Sequence, residues 1–419
     1  MPHFANFFLL ASSLALAISS VSDLAAGLAW LGLILAGLGA WWSQRRQPPG
    51  GTALGPEGEA ARLWWWACVL SWALMMLVTA YWGGPWPERH AQWRLLLGAL
   101  GLLCLVRYCR WPPPMLRWLG HAVALTQVLA LGLLLLLSSD ATPTNRIPWM
   151  AGVSLLSLAL LTWAHIPGLA SVWTRRIWWM ASLLALGSVL LSGVRGSWLL
   201  LILWPITAAA LHMQDRQLWR WSARGVLLLS CAVAVLLAVL QPLIPARDHP
   251  VIRLVQLFQE TGLSNTHQVD GNSSTGARVL LYKAGLHQVL SAPSWLGIGH
   301  AEHMRRLKQH LQTHSPEAVQ AIGHYHNDAL NAWVEFGLLG LLAYLVLPLA
   351  MAWMVWRLGR SAPQAACGVA ALALMHVGTG LSNANLAHNY YPVMWSLALS
   401  LVLLAQRSAG LSRSNSAPS

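Results

Sequence analysis

The sequence predicts an all-α polytopic membrane protein with about twelve transmembrane helices, and three observations carry that expectation. Of 419 residues, 56% are hydrophobic and 9% charged, whereas a soluble domain carries roughly a quarter charged residues. Apolar runs long enough to cross a bilayer recur along the chain. Arginines stand in short clusters between those runs, as membrane orientation requires. The same spacing disposes of the nucleic-acid reading that a net charge of +13 invites, because the basic residues are not pooled on one face. The 26 tryptophans and 34 glycines suit a helical membrane protein as well.

In chain order the runs lie at 4–21, 23–42, 63–82, 92–108, 118–138, 148–165, 177–193, 196–213, 224–244, 328–356, 364–381 and 390–406. Only Ser19 to Asp23 separates the first two, and a short turn around Gly193-Val194-Arg195-Gly196 joins the seventh and eighth. Met1-Pro2-His3 lacks the basic stretch of a cleaved signal peptide, so the first run is expected to stay as a span. The chain thus divides into nine spans in 1–244, a long polar segment at 245–327, three spans in 328–406 and a Ser-rich tail at 407–419, expected to be disordered.

Orientation follows from the basic residues. With both termini cytoplasmic, the inner loops hold Arg45, Arg46, Arg62, Arg107, Arg110, Arg117, Arg175, Arg176, Arg216, Arg220, Arg224, Arg357, Arg360, Arg407 and Arg413. The short outer loops and their margins hold Arg89, Arg94, Arg146 and Arg195. The segment 245–327 then faces outward, since long loops translocate largely regardless of charge. It reads as a folded helical cap. Val251 to Gln259 is amphipathic, and Asn265 to Gly276 is a polar loop. Ala277 to Ser291 is helical with Leu280, Leu281, Ala284 and Leu290 on its apolar side, and His303 to His314 is a basic helix.

The residues able to carry chemistry fall on the outer side. Gly323-His324-Tyr325-His326-Asn327-Asp328 crowds two imidazoles, an amide and a carboxylate where a polar segment enters an apolar helix. Histidine moves protons near neutral pH, so the cluster is a candidate reaction centre. A plain helix start capped by Asn327 or Asp328 is the competing reading. Arg195 sits in a turn too short to leave the bilayer surface and needs an anion, either a protein carboxylate or a bound phosphate. Arg278 and Lys283 lie on the cap helix, where a solvated face competes with ligand binding, and for Arg146 the competing role is snorkelling to headgroups. His300, His303, His310 and His314 read as polar cap surface. His324-x-His326 alone does not make a metal site, and no phosphate-binding or dinucleotide fingerprint appears. Cys68, Cys104, Cys109, Cys231 and Cys367 match no metal or disulfide pattern. Arginines beside proton-transfer groups fit an amphiphilic phosphate or diphosphate whose displacement by a hydroxyl needs a base and cations.

Three stretches then carry a resemblance. His326-Asn327 followed after nine residues by Gly337-Leu-Leu-Gly340, Ser192-Gly-Val-Arg195-Gly-Ser-Trp198, and Ser274-Thr-Gly-Ala-Arg278 leading to Pro293-Ser-Trp-Leu-Gly-Ile-Gly299 together resemble the O-antigen ligase and polymerase superfamily over roughly 140–345. The resemblance implies a GT-C-like fold and a metal-independent, inverting transfer of glycan from undecaprenyl diphosphate at the periplasmic face of the inner membrane. It implies that Arg195 and Arg278, with Arg146, hold the donor diphosphate, and that His326 or His324 is the base. Asn327, Asp328, Tyr282 and Lys283 would support them, Tyr282 standing where similar proteins often have Trp. Ligases, polymerases and protein O-oligosaccharyltransferases share the motif. The moderate loop and the absence of a soluble domain after the last span favour the ligase, with lipid A–core as acceptor and membrane lipids as surroundings. No cofactor or nucleic acid is expected. A lipid-linked glycan transporter, the rival of another class, would show charges within the spans and symmetric broken helices; the hydropathy profile shows neither.

Overall fold

A computed structural model of the chain describes residues 2–44, 55–84, 91–109, 111, 113–136, 142–214, 274–314 and 323–416. The described residues form thirteen α-helices and no strand: α1 (Pro2–Ala17), α2 (Asp23–Gln44), α3 (Pro56–Tyr81), α4 (Ala91–Tyr108), α5 (Pro113–Leu136), α6 (Arg146–Ala164), α7 (Val172–Ser192), α8 (Leu199–Gln214), α9 (Ser274–Ser291), α10 (Gly299–His314), α11 (Asp328–Leu358), α12 (Pro363–Gly380) and α13 (Tyr390–Ser416). The chain is an all-α polytopic membrane protein. Among the described residues, seven helical segments are long and apolar enough to cross a bilayer: α2, α3, Pro114–Leu136 of α5, α6, Arg195–Gln214, α11 and Tyr390–Gly410 of α13. Helices α1, α4, α7 and α12 occupy four more of the expected runs. The expected span at 224–244, the amphipathic stretch at Val251–Gln259 and most of the loop after it lie outside the described residues.

Backbone satisfaction explains why these runs are helices, since hydrocarbon offers no partner for an open N–H or C=O. Their hydroxyls turn back on the same ladder, as Ser154 Oγ does on the Met150 carbonyl at 2.8 Å and Thr162 Oγ1 on the Leu158 carbonyl at 2.8 Å. Helix α6 is the centre of the bundle, buried throughout from Pro148 to Ala164. It packs against α7, α12 and α13. Its tryptophans reach across the bundle with their single donors: Trp149 Nε1 donates to the Ser20 carbonyl, in the turn between α1 and α2, at 2.9 Å and Trp163 Nε1 to the Leu401 carbonyl on α13 at 2.8 Å. Around this centre α1 packs on α2 and α5, α2 on α4, and α3 on α11.

Helix termini are set by local chemistry. Asn145 and Ser171 cap α6 and α7 through side-chain oxygens, and Gly193, at φ 65°, ends α7 in the left-handed conformation. Because successive helices alternate in direction, the start of α6, the end of α7, the start of α11 and the loop between α12 and α13 meet at one end of the bundle. Helices α9 and α10 lie over that end, packed on α11 and on each other.

Helix α11 departs from the continuous span that its hydropathy suggests. It unwinds at Gly337 (φ 68°, ψ −157°). Into the break docks the turn Pro293–Gly299: the Leu338 and Leu339 amides donate to the carbonyls of Ser294 (3.0 Å) and Trp295 (3.2 Å), and the Ile298 amide donates to the Val334 carbonyl (3.2 Å). Gly297 is also left-handed, at φ 66°. A Cβ on Gly297 would stand 2.5 Å from the Gly337 nitrogen, and one on Gly337 would stand 2.5 Å from the Ser294 oxygen. Two glycines distant in sequence therefore interlock, and they tie the cap to α11. The expectation of spans without broken helices is corrected here by the break at Gly337, and the two acids of this run, Asp328 and Glu335, are both buried.

The cap also departs from its sequence reading. On α9 the expected apolar side holds at Leu281, which is fully buried, and at Ala284, which packs beside it, but Leu290 is 70% exposed and Val289 is buried in its place. On α10, His303 is fully buried rather than part of a polar surface. It lies 3.7 Å from the Glu335 carboxylate and 5.1 Å, ring to ring, from Tyr325. His300 Nδ1 meets the other Glu335 oxygen at 2.9 Å.

Candidate active site

Two chambers, each of about 340 Å³, open at the cap-covered end of the bundle. The first is made from the start of α6, the turn after α7, α9 and the loop following α12. Its lining brings together Arg146, Arg195 and Arg278 with Asn145, Ser192 and Ser382. No carboxylate lines it among the described residues. Each arginine is placed by local structure. Arg146 opens α6 behind the Asn145 cap, and its Nη1 donates to the Ser192 carbonyl at 3.4 Å. Arg195 begins a short 3₁₀ turn (Arg195–Trp198) that the left-handed Gly193 makes possible. Arg278 rides on α9. Burial holds its guanidinium below the usual arginine range, Tyr282 opposes the shift and Arg195 adds to it. Guanidinium groups gathered in one cleft are a receptor for an anion with several oxygens, because each offers a planar fork of donors.

The histidines stand beside this cleft. The rings of His324 and His326 lie 4.4 Å apart, edge to face. His326 has a left-handed backbone, at φ 52°, the one such non-glycine among the described residues. A conformation of that kind costs on the order of 1–3 kcal/mol and persists only where its surroundings hold it. Here both sides are held: the His326 amide donates to His324 Nδ1 at 3.2 Å, and the Tyr282 hydroxyl lies 2.9 Å from the His326 carbonyl and 2.7 Å from the Leu381 carbonyl. Asn327 then caps α11, its Oδ1 accepting from the Leu330 amide at 2.9 Å. The plain helix start and the histidine cluster are thus both present, and the cap places the cluster.

Hydrogen bonds fix the ring tautomers. Asn383 Nδ2 donates to Asn385 Oδ1 (2.9 Å), and Asn385 Nδ2 donates to Thr379 Oγ1 (2.8 Å). That orientation leaves Asn383 Oδ1 as the acceptor facing His326 Nδ1 at 3.3 Å. His326 therefore carries its proton on Nδ1 and keeps the lone pair on Nε2. In His324 the lone pair is already used, since Nδ1 accepts from the backbone. Burial lowers His326 to about 4, with Arg278 adding to the shift and the Asn383 bond opposing it. Burial lowers His324 to about 3, and the neighbouring His326 and His388 act in the same direction. Both rings are neutral at pH 7.

The second chamber, with His324 in its wall, lies between α3, α4, α11 and the loop before α13. Gln92, His324, Asp328, Asn331, Glu335, Tyr344 and His388 supply its polar lining. Asp328 Oδ1 accepts from the Leu386 amide at 3.0 Å and so ties that loop to α11. Successive residues of the loop divide the space: Ser382 lines the arginine chamber, Asn383 holds His326, and Ala384 lines the second chamber.

Most of the residues singled out in the sequence converge here. Tyr282, His326 and Asn327 stand beside the chambers without lining either, and Lys283 is exposed on α9 and also lines neither. Sequence reading missed Thr379 and the run Ser382-Asn383-Ala384-Asn385, with His388, although a polar insertion between two apolar runs was its available signal. Among the described residues no group of three or more His, Cys, Asp or Glu is placed to hold a metal ion.

Residues 180–345 match a family model described as O-antigen ligase. No curated protein matches the chain. The matched stretch contains Arg195, Arg278, His324, His326 and the interlocked Gly297 and Gly337, the parts from which the arginine cleft, the histidine pair and the cap junction are built. Over that stretch the chain is similar to the O-antigen ligase family.

Proposed function

We propose that the protein is an O-antigen ligase, a glycosyltransferase of the inner membrane. It transfers O-antigen from undecaprenyl diphosphate to lipid A–core at the periplasmic face. The observation that carries this reading is the adjacency of an arginine cleft to a neutral imidazole whose Nε2 lone pair is fixed in place. The family match supports a lipid-linked glycan as the class of substrate.

The chemistry follows from the two halves. Arg146, Arg195 and Arg278 hold the donor diphosphate at the headgroup level and offset the charge that develops on it as the sugar–phosphate bond breaks. His326 Nε2 accepts the proton of the acceptor hydroxyl as the oxygen attacks the anomeric carbon, and the lipid diphosphate leaves from the opposite face. In-line displacement inverts that carbon. His326 takes the role of base because the backbone occupies the matching position on His324, which instead props the His326 amide. Asn383 acts through His326 as a positioning residue. No metal enters the scheme, since the cationic work falls to arginine.

The topology belongs to the same reading, with both termini cytoplasmic and the cap periplasmic, as the arginine distribution expects. The break in α11 is a feature that transporters also use. The chambers, however, both lie at one end of the bundle beside a cap, which suits chemistry at one membrane face. Product analysis tests the reading: purified protein is given lipid-linked glycan with either lipid A–core or no second substrate. Ligated lipopolysaccharide is the expected product. Elongated lipid-linked glycan would make the protein a polymerase, and glycan translocated without a new bond would make it a transporter.

A further inference from the structure

The second chamber has no role in holding the diphosphate, yet it contains polar atoms that the fold leaves unsatisfied. Asp328 and Gln92 are 5% and 7% exposed, and both line it. Asp328 Oδ2 and Gln92 Oε1 meet no hydrogen-bond partner among the described residues. A buried polar atom without a partner is costly, so such atoms lining a cavity mark what the cavity is built to receive. The two residues come from helices far apart in sequence, α4 and α11, and line one space whose wall also includes His324.

We propose that this chamber is the acceptor subsite and that it takes an uncharged sugar ring, with ring hydroxyls paired to Asp328 Oδ2 and Gln92 Oε1. The assignment rests on the transferase reading above. A hydroxyl suits the pair because it donates to an ionised carboxylate and to an amide oxygen, and it can also accept from a protonated carboxyl. A phosphate or carboxylate on the ring does not: it would stand against Asp328 and Glu335 in a space whose described lining has no arginine or lysine. The division of labour is therefore electrostatic. Anion goes to the arginine cleft and neutral polyol to the carboxylate chamber, whose wall holds His324, the ring 4.4 Å from that of His326. Placed so, the acceptor ring approaches the imidazole from the side opposite the leaving group, as in-line attack requires.

The test uses full-length protein in lipid nanodiscs, with wild type, Gln92→Met and Asp328→Asn compared. Transfer kinetics give the acceptor KM, and donor affinity is measured separately. Direct binding is followed by NMR saturation transfer to delipidated core oligosaccharide, once dephosphorylated and once with a phosphorylated terminal sugar. Each substitution should raise the acceptor KM about tenfold, the effect of losing one good hydrogen bond. Donor affinity should be unchanged, and the neutral oligosaccharide should outcompete the phosphorylated one. Because Asp328 also anchors the Leu386 amide, Gln92→Met carries the test should Asp328→Asn fail to fold. An unchanged acceptor KM in Gln92→Met, or equal binding of the phosphorylated sugar, overturns the subsite and leaves the transferase standing. Wild type that makes no product but binds the neutral sugar in a Gln92-dependent way retires the transferase and keeps the sugar site. Absence of both overturns the two together.

Discussion

The two chambers beside the histidine pair have similar volumes, about 340 Å³ each, and opposite chemistry. One is walled by three arginines contributed by α6, the turn after α7 and α9; the other is walled by carboxylates, amides and imidazoles from α4, α11 and the loop before α13. A single three-residue stretch, Ser382-Asn383-Ala384, touches the first, the histidine and the second in turn. The contrast teaches that a membrane enzyme of this kind need not concentrate its polarity in one pocket. On the proposed reading it separates the charge that would stabilise a leaving group from the acceptors that would pair with that charge, and keeps the proposed base beside both. A carboxylate among the arginines would compete with the donor for the same guanidinium forks.

The largest effect should come from removing the cations. Arg195→Ala and Arg278→Ala should abolish transfer in radiolabelled-donor assays while the protein still inserts and folds. Arg195→Lys should recover only part of the rate, because a point charge does not reproduce a bidentate fork. Full activity in Arg195→Ala would mean that its anion is structural and the two chambers are not complementary. Removing the base comes next. His326→Ala should lower the transfer rate by ~10²–10⁴-fold, the usual contribution of a general base. His324→Ala should cost less, since that ring supports the His326 amide. A dead His324→Ala beside a working His326→Ala would move the base to the other ring and reverse the tautomer assignment.

A smaller effect is expected beside the proposed base. Asn383→Ala removes the acceptor that fixes the His326 tautomer and should slow transfer about tenfold, as loss of one hydrogen bond does, while Asn383→Asp, which keeps an acceptor oxygen, should retain more. Acidity probes the same unit. His326 and His324 are held at about 4 and about 3, below the ordinary 6.5. The unfolded chain therefore binds more protons than the folded one between those values. The stability that the neutral rings permit is fully present above pH 6.5, and it is lost as pH falls toward 4. The kcat/KM of the free enzyme should likewise hold through pH 6 and fall only near 4, whereas an acid limb at 6.5 would show exposed, ordinary histidines. The smallest expected effect is none at all: transfer should survive excess chelator.

Much of this arrangement was legible in the sequence, for identifiable reasons. Arg146, Arg195, Arg278 and His326 stand out because a charged or titratable side chain is conspicuous against apolar runs. The helices were legible because lipid leaves the backbone few alternatives. What stayed hidden depends on tertiary geometry. The break at Gly337 is invisible because hydropathy continues through it; it exists only once Gly297 docks. His303 looks like surface on a basic helix because Glu335, the group it faces, lies more than thirty positions further on. Asn383 and Asn385 read as an ordinary loop between spans, and their work becomes apparent only when the chain of amide hydrogen bonds is traced back to His326.

The separation of duties between arginine and histidine is the central claim, and one paired measurement reaches it most directly. Donor affinity and single-turnover transfer rate should be determined on the same nanodisc preparations of His326→Ala and Arg278→Ala. The account predicts that His326→Ala binds lipid-linked donor as the wild type does and fails in transfer, while Arg278→Ala loses donor binding itself. Loss of donor affinity in His326→Ala in proportion to its rate would contradict it, making the imidazole a phosphate ligand and leaving the base to be found elsewhere.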